Sequence, residues 1–135
     1  MANALYPKWK EALLEGDADA DIMNGDVKVA LVDTNDYTYD ASHEFLDDVT
    51  GGAIVATSDN LGNKSNTDGV FDADDVTLSN VSGDESEALI IYVDTGSAES
   101  SRLVAYIDTG VTGLPVTPNG GNIIITWNAS GIFAL

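Results

Sequence analysis

Hydrophobic and polar positions divide the chain into short apolar runs separated by turn residues, and the two densest runs lie beyond its middle. Ala88–Val93 (ALIIYV) and Leu103–Ile107 (LVAYI) are rich in branched and aromatic residues, and an Asp-Thr-Gly follows each. Runs of this length bounded by turn chemistry predict buried strands. The link between them is too short for a parallel crossover, so the pair predicts an antiparallel hairpin at the centre of the domain.

The remaining elements are arranged around that hairpin. Ala4–Glu15 predicts a short helix, with Pro7 in its first turn and Gly16 just past its end. Trp9, Ala12 and Leu13 share one face, with Leu5 and Tyr6 nearby. About three turns of helix are not stable alone, so this one must dock on its own sheet or on a neighbouring subunit. Gly16–Asp26, with Asp17, Asp19 and Asp21 alternating, reads as a polar hinge. Val27–Val32 predicts a strand with Val27, Val29 and Leu31 on one face. Asp33–Asp40 is a turn-rich loop, and Ser42–Asp47 a single helical turn capped by Ser42. Gly52–Thr57, Val70–Phe71, Val76–Leu78, Asn122–Trp127 and Ile132–Leu135 complete the expected strands.

About eight short strands with frequent turns predict a mainly-β fold, an antiparallel β-sandwich or small barrel with a short N-terminal helix or arm. The expected division is an arm over residues 1–16 and a sandwich domain over 17–135. Leu89–Val93, Leu103–Ile107 and Ile123–Ile125 are apolar on both faces. A two-layer sandwich buries one face of each strand, so these runs call for a third layer. The helix would supply part of it and an adjacent copy the rest.

The chain has 135 residues, which suits one domain, and no cysteine, which excludes disulfides and thiolate metal sites. Lys8 and Lys10 are followed by EALLEGDADAD rather than by an apolar run, so no secretory leader is expected. No apolar run approaches membrane-spanning length. With 23 acidic and 5 basic residues the net charge is −18. Such a chain should repel nucleic acid and anionic membranes, which favours solubility or a basic partner surface. The charge is also segregated. Residues 1–10 hold two lysines and no acid, residues 11–108 hold every acid, and residues 109–135 hold no charged side chain. An uncharged final fifth suggests burial in the core or against a partner.

Candidate chemistry is sparse. The Asp-Thr-Gly triplets at Asp94–Gly96 and Asp108–Gly110 match the triplet of aspartic proteases, whose chemistry needs two carboxylates sharing a proton. An antiparallel hairpin places these two at opposite ends, so they read as turns in which Asp bonds the backbone and Gly takes positive φ. Asp17, Asp19 and Asp21 open a calcium-loop frame that fails at Ile22 and Lys28, and a second frame beginning at Lys64 fails at its first position. His43 stands without a second histidine or a cysteine, and no Gly-x-Ser-x-Gly elbow is present. Tyr37, Tyr39 and Phe45 offer either a sugar-binding ledge or aromatic packing over the end of the sandwich. Asn128-Ala-Ser fits a glycosylation sequon without evidence of secretion. No cofactor, metal or catalytic residue is therefore expected.

Nearly the whole chain resembles a family of small bacteriophage virion structural proteins. MANALYPKWKEALLEGD, DVKVALVDTNDYTYDASHEFLDDV, VFDADDVTLSNVSGDESEALIIYVDTG and LVAYIDTGVTGLPVTPNGGNIIITWN carry the likeness. Within such particles, size and β character are similar to those of head decoration, or cement, proteins. The resemblance implies a non-enzymatic protein made in the host cytoplasm and placed on the outer capsid surface. It also implies a homotrimer that clamps the major capsid protein without binding nucleic acid or membrane. Leu5, Tyr6, Lys8, Trp9, Lys10 and Leu13 would make the capsid contact. Ile123, Ile125, Trp127, Ile132 and Phe133 would make the self-association surface. The alternatives are a tail or neck component and a carbohydrate-binding module.

Overall fold

The computed structural model describes residues 3–50 and 52–135. The strands are β1 (Ala4–Leu5), β2 (Asp26–Val32), β3 (Ile54–Thr57), β4 (Val70–Phe71), β5 (Val76–Leu78), β6 (Ala88–Asp94), β7 (Arg102–Ile107), β8 (Ile123–Ile125) and β9 (Phe133–Ala134). The helix is α1 (Pro7–Glu15), and Ala18–Ala20, Leu46–Asp48 and Thr67–Gly69 form 3-10 turns. The chain is mainly β with antiparallel sheets and one short N-terminal helix, a sandwich-like domain. No helix among the described residues is long and apolar enough to cross a membrane.

The expected hairpin is the middle of a five-stranded sheet ordered β1-β7-β6-β2-β3. Ile90 stands opposite Tyr106 and Leu89 opposite Ile107, and the register shifts once, between Ile91 and Tyr92. On the other side of β6, Val29 pairs with Ile91 and Val27 with Val93. Two small sheets, β4-β9 and β5-β8, complete the strand pairing. Their inward residues Phe71, Val76, Leu78, Ile123 and Ile125 belong to the same apolar cluster as the large sheet.

Both faces of β6 and β7 are buried within a single chain, so the third layer comes from the protein itself and not from an adjacent copy. On one face Tyr37 and Tyr39 lie against Tyr106. On the other, Ala105 and Ile107 share a small cavity with Leu5, Ile132 and Phe133. Fully burying a large apolar side chain contributes ~1.5–3 kcal/mol. A strand buried on both faces therefore sets the position of everything packed on it.

The N-terminal segment departs from expectation at its start. The residue before a proline disfavours the helical region, and Tyr6 is extended (φ −72°, ψ 123°), so α1 begins at Pro7. Ala4 and Leu5 are left extended and pair with Tyr106 and Ala105 along the outer edge of β7. The Asn3 side chain continues that attachment, accepting from the backbone N–H groups of Asp108 and Thr109. Gly16 ends the helix in the left-handed region, φ 74°, as its position predicts.

From that edge the segment reaches both faces. Tyr6 meets Tyr39 at 5.0 Å between ring centres, and Trp9 meets Phe133 edge-on at 5.6 Å. Both Tyr6 and Trp9 are completely buried. The N-terminal segment thus docks on its own sheet, one of the two placements expected for it, and Tyr6, Trp9 and Ala12 join the core. The connector expected to act as a hinge is tied down. Ala20 is buried, its carbonyl accepts from Trp9 Nε1 at 3.1 Å, and Asp19 receives Nε and Nη2 of Arg102.

Two local details also differ. The single helical turn expected at Ser42–Asp47 lies at Leu46–Asp48. Ser42 bonds Asp40 instead, and Asp48 accepts from the Glu44 and Phe45 backbone N–H groups. The uncharged final fifth is not buried as a block. Ile123, Ile125 and Trp127 point inward while Ile124, Thr126 and Asn128 face out, so uncharged polar side chains provide much of its surface. At Gly131 (φ +111°) a Cβ would collide with the Val70 side chain, so a glycine is needed where β9 turns back onto β4.

Replacing Trp9 by alanine is expected to lower unfolding stability by ~3–5 kcal/mol, in the range for truncating a buried aromatic. Urea unfolding of the full chain measures this, and a loss below ~1 kcal/mol would mean the helix is not part of the core.

Candidate functional site

A groove of about 600 Å³ opens at the α1 end of the molecule. Trp9 and Leu13 of α1 form one wall, Ile22 and Met23 from the following turn a second, and Phe71, Phe133 and Leu135 a third. Trp9 and Phe71 are buried, whereas Leu13, Ile22, Met23 and Phe133 are half-buried. Three large apolar side chains stand out among the described residues: Leu14 (91% exposed), Leu135 (70%) and Ile124 (59%). Of these three, Leu135 lines the groove.

The groove is rimmed by acid. Asp17 and Asp21 line it, and no lysine or arginine does. Asp21 accepts hydrogen bonds from Asn24 Nδ2 and from the backbone N–H groups of Asn24 and Met23. These bonds, the Asn24 side chain foremost, hold its carboxyl below the usual carboxylate range. Arg102 anchors the floor from beneath. It is buried, forks onto both Asp19 carboxylate oxygens at 3.2 Å, reaches Glu44 at 3.2 Å and lies 4.8 Å from the centre of the Phe45 ring. This paired arginine fixes the Ala18–Ala20 turn to β7.

A second cleft, of about 460 Å³, opens on the opposite face between Thr34, Tyr39, Tyr106, Glu87 and Pro115. It is the visible side of a tyrosine cluster. The Tyr6 and Tyr37 hydroxyls are 2.8 Å apart, and the Tyr37 hydroxyl is 2.9 Å from His43 Nδ1. Tyr6 donating to Tyr37, and Tyr37 to a histidine protonated at Nε2, satisfies the chain. Burial pushes the Tyr6 hydroxyl far above its ordinary value, and pushes Tyr37 up to about 12. Of the three aromatics expected either to form a ledge or to pack, Tyr37 is buried, whereas Tyr39, which lines this cleft, and Phe45 are half-buried. Of the two readings of these aromatics, the structure places Tyr37 in the packing over the sheet.

The two Asp-Thr-Gly carboxylates lie apart. Asp94 and Asp108 sit at opposite ends of the β6–β7 hairpin. Asp94 pairs with Lys28 at 2.7 Å and accepts from the Gly96 backbone N–H at 3.0 Å. In the two calcium frames the groups do not converge. Asp19 is taken by Arg102, Asp21 closes its own turn, Asp72 accepts from the Ala73 backbone N–H, and Asp75 accepts from the Trp127 backbone. Lys64 reaches the Gly25 carbonyl at 2.7 Å. Among the described residues one carboxylate trio does converge: Asp33, Asp36 and Asp84 place oxygens within 4.8 Å of one another. Three hard oxygen donors suit a divalent cation such as calcium, which takes further ligands from water. Asp84 is far from the other two in sequence and comes close because the Glu87 N–H bonds the Val32 carbonyl at the end of β2.

The expected contact residues separate into two groups. Of the six assigned to a partner, Tyr6 and Trp9 are in the core, which corrects their assignment, because a fully buried ring offers no surface. Leu5 is half-buried in β1, Lys8 pairs with Glu11 at 3.4 Å, Lys10 is exposed, and Leu13 lines the groove. Of the five assigned to self-association, Ile123, Ile125 and Trp127 are buried, which corrects theirs too. Ile132 and Phe133 are half-buried against the core. Ile22, Met23, Leu14 and Leu135 were missed. The one available signal was Ile22-Met23, a pair of large apolar residues inside an otherwise acidic connector.

Compared with known proteins, the chain matches no protein family and no curated protein sequence.

The tyrosine cluster makes alkaline stability testable. A phenol with a raised folded-state value keeps its proton when the unfolded chain releases it near pH 10, so its contribution is complete below that pH and declines above it. Stability should therefore fall between pH 10 and about 12. Tyr37→Phe should make that decline shallower while costing ~1–3 kcal/mol at neutral pH, because the Tyr6 hydroxyl loses its partner. Urea unfolding across the pH range reads both effects, and an unchanged alkaline slope in the variant would refute the assignment.

Proposed function

We propose that this chain is a non-enzymatic adhesive protein of a bacteriophage particle, a decoration or cement protein that binds the outer surface of the major capsid protein and strengthens the head. The sequence resemblance supplies the particle. The observation that carries the adhesive role is the groove, where an apolar floor and an acidic rim occur together at one end of a strongly acidic molecule.

Physical chemistry supports this reading over catalysis. General acid–base work needs groups poised near a common reacting atom. Here the clustered hydroxyls bond one another inside the core, and Asp19, Asp21 and Asp94 are held in ion pairs or turns, which leaves Asp33, Asp36 and Asp84 as the one converging carboxylate group among the described residues. An exposed apolar patch rimmed by polar groups is, by contrast, the ordinary mark of a protein contact. A body with net charge −18 is steered towards basic surfaces and away from nucleic acid and anionic lipid. Because Ile123, Ile125 and Trp127 belong to the core, the proposed trimer is organised by the local threefold symmetry of the shell rather than by the C-terminal segment.

Purified protein mixed with empty heads of the particle that encodes it should sediment with them, and should raise the temperature at which they open. Binding should weaken as salt rises, because rim charges are screened over about 10 Å at 0.1 M ionic strength. Protein that stays in the supernatant at all salt concentrations, or that is located in the tail or neck of a particle reconstruction, would overturn the head assignment.

A further inference from the structure

We infer that the groove between α1, the Ala18–Ala20 turn and the β4-β9 sheet receives a basic, amphipathic peptide segment of a partner protein. This rests on the adhesive reading above and adds to it the surface and the chemistry of its occupant.

Three features specify that occupant. The first is apolar anchoring. Leu13, Ile22, Met23, Phe133 and Leu135 leave apolar surface open around a cavity of about 600 Å³. That is within the range of sites that enclose several apolar groups, ~300–1,000 Å³. Amphipathic helices dock in such grooves through side chains spaced i, i+3, i+4 and i+7.

The second is charge. Asp17 and Asp21 line the opening with no cation among the lining residues. Asp19 is already neutralised by Arg102, and Asp21, although it closes its own turn onto Met23 and Asn24, still adds negative charge to the lining beside Asp17. An occupant with lysines or arginines beside its apolar anchors would complement both features. A second copy of this chain brings −18 against −18 and is disfavoured, as are lipid and nucleic-acid phosphates. The third is accessibility. Leu135, one of the exposed large apolar residues, lines the groove itself.

The test uses the isotope-labelled full chain and two synthetic probes of about 14 residues, about four helical turns. Both carry leucines at i, i+3, i+4 and i+7; one has lysine at the remaining positions and the other glutamate. The lysine probe should bind, with the largest NMR shift changes at Leu13, Ile22, Met23 and Phe133 and with affinity that falls as salt rises. Leu135→Glu, at an exposed position, should weaken it by about ten-fold. Asp17→Asn should weaken it less and flatten its salt dependence. Leu13→Glu gives a second reading wherever thermal unfolding shows that the variant is folded. Equal binding of the glutamate probe, shift changes confined to another surface, no binding of the lysine probe, or self-association through the groove would each overturn the inference.

The same variants on empty heads keep the two proposals apart. Wild-type protein that binds the lysine probe but not heads would leave the groove standing and remove the capsid reading. Heads that bind Leu135→Glu as well as wild type would remove the groove and leave the capsid reading in place.

Discussion

The rest of the structure depends on the burial of β6 and β7 on both faces. A hairpin apolar on both sides cannot lie at the surface of a two-layer domain, so segments without regular structure are drawn in to cover it. The loop between β2 and β3 brings Tyr37 and Tyr39 to one face. The N-terminal segment and β9 bring Leu5 and Phe133 to the other. Each covering segment also carries polar groups, and these find partners where it docks. Tyr6, Tyr37 and His43 bond in series, and Trp9 Nε1 donates to the Ala20 carbonyl. Burial sets where these segments lie, and the hydrogen bonds make that placement specific.

The edge of β7 shows how the same constraint prevents an open sheet. An unpaired strand edge is a template for unwanted pairing. Ala4 and Leu5 occupy part of this one, and the Phe45 bridge to Arg102, with the Leu103 N–H bonded to the Glu44 carbonyl, occupies more. Arg102 lies where these segments meet. Its guanidinium joins Asp19 from the connector to Glu44 and Phe45 from the distant loop. A single buried cation thereby joins three stretches of an acidic chain, and the Ala18–Ala20 turn it fixes becomes one wall of the groove.

This packing holds Asp19, Asp21 and Asp94 in ion pairs and turns and draws Tyr6 and Tyr37 into the core. Accessible surface includes the cleft beside Tyr39, the Asp33, Asp36 and Asp84 group, and the apolar groove bounded by α1, a fixed turn and the last strand. Adhesion through a groove of this kind needs shape, apolar area and charge, all of which belong to the assembled surface rather than to any one residue.

Most of the strands, the central hairpin and the turn at Asp94-Thr95-Gly96 were legible in the chain, because apolar runs and turn chemistry are local and repeat with the period of the backbone. The sequence also determined that Trp9 and Leu13 share a helical face and that Gly16 ends the helix. That Tyr6 and Trp9 face inward, and that Ile123, Ile125 and Trp127 belong to the core, follows from long-range packing. An apolar side chain buried in its own domain and one awaiting a partner have the same local pattern. The extended start of the chain was nonetheless legible from Pro7, whose restriction on Tyr6 forbids the longer helix. The groove was not, because its walls come from positions as far apart as Leu13, Ile22, Phe71 and Leu135, and no local pattern records which distant segments a doubly buried hairpin will gather round itself.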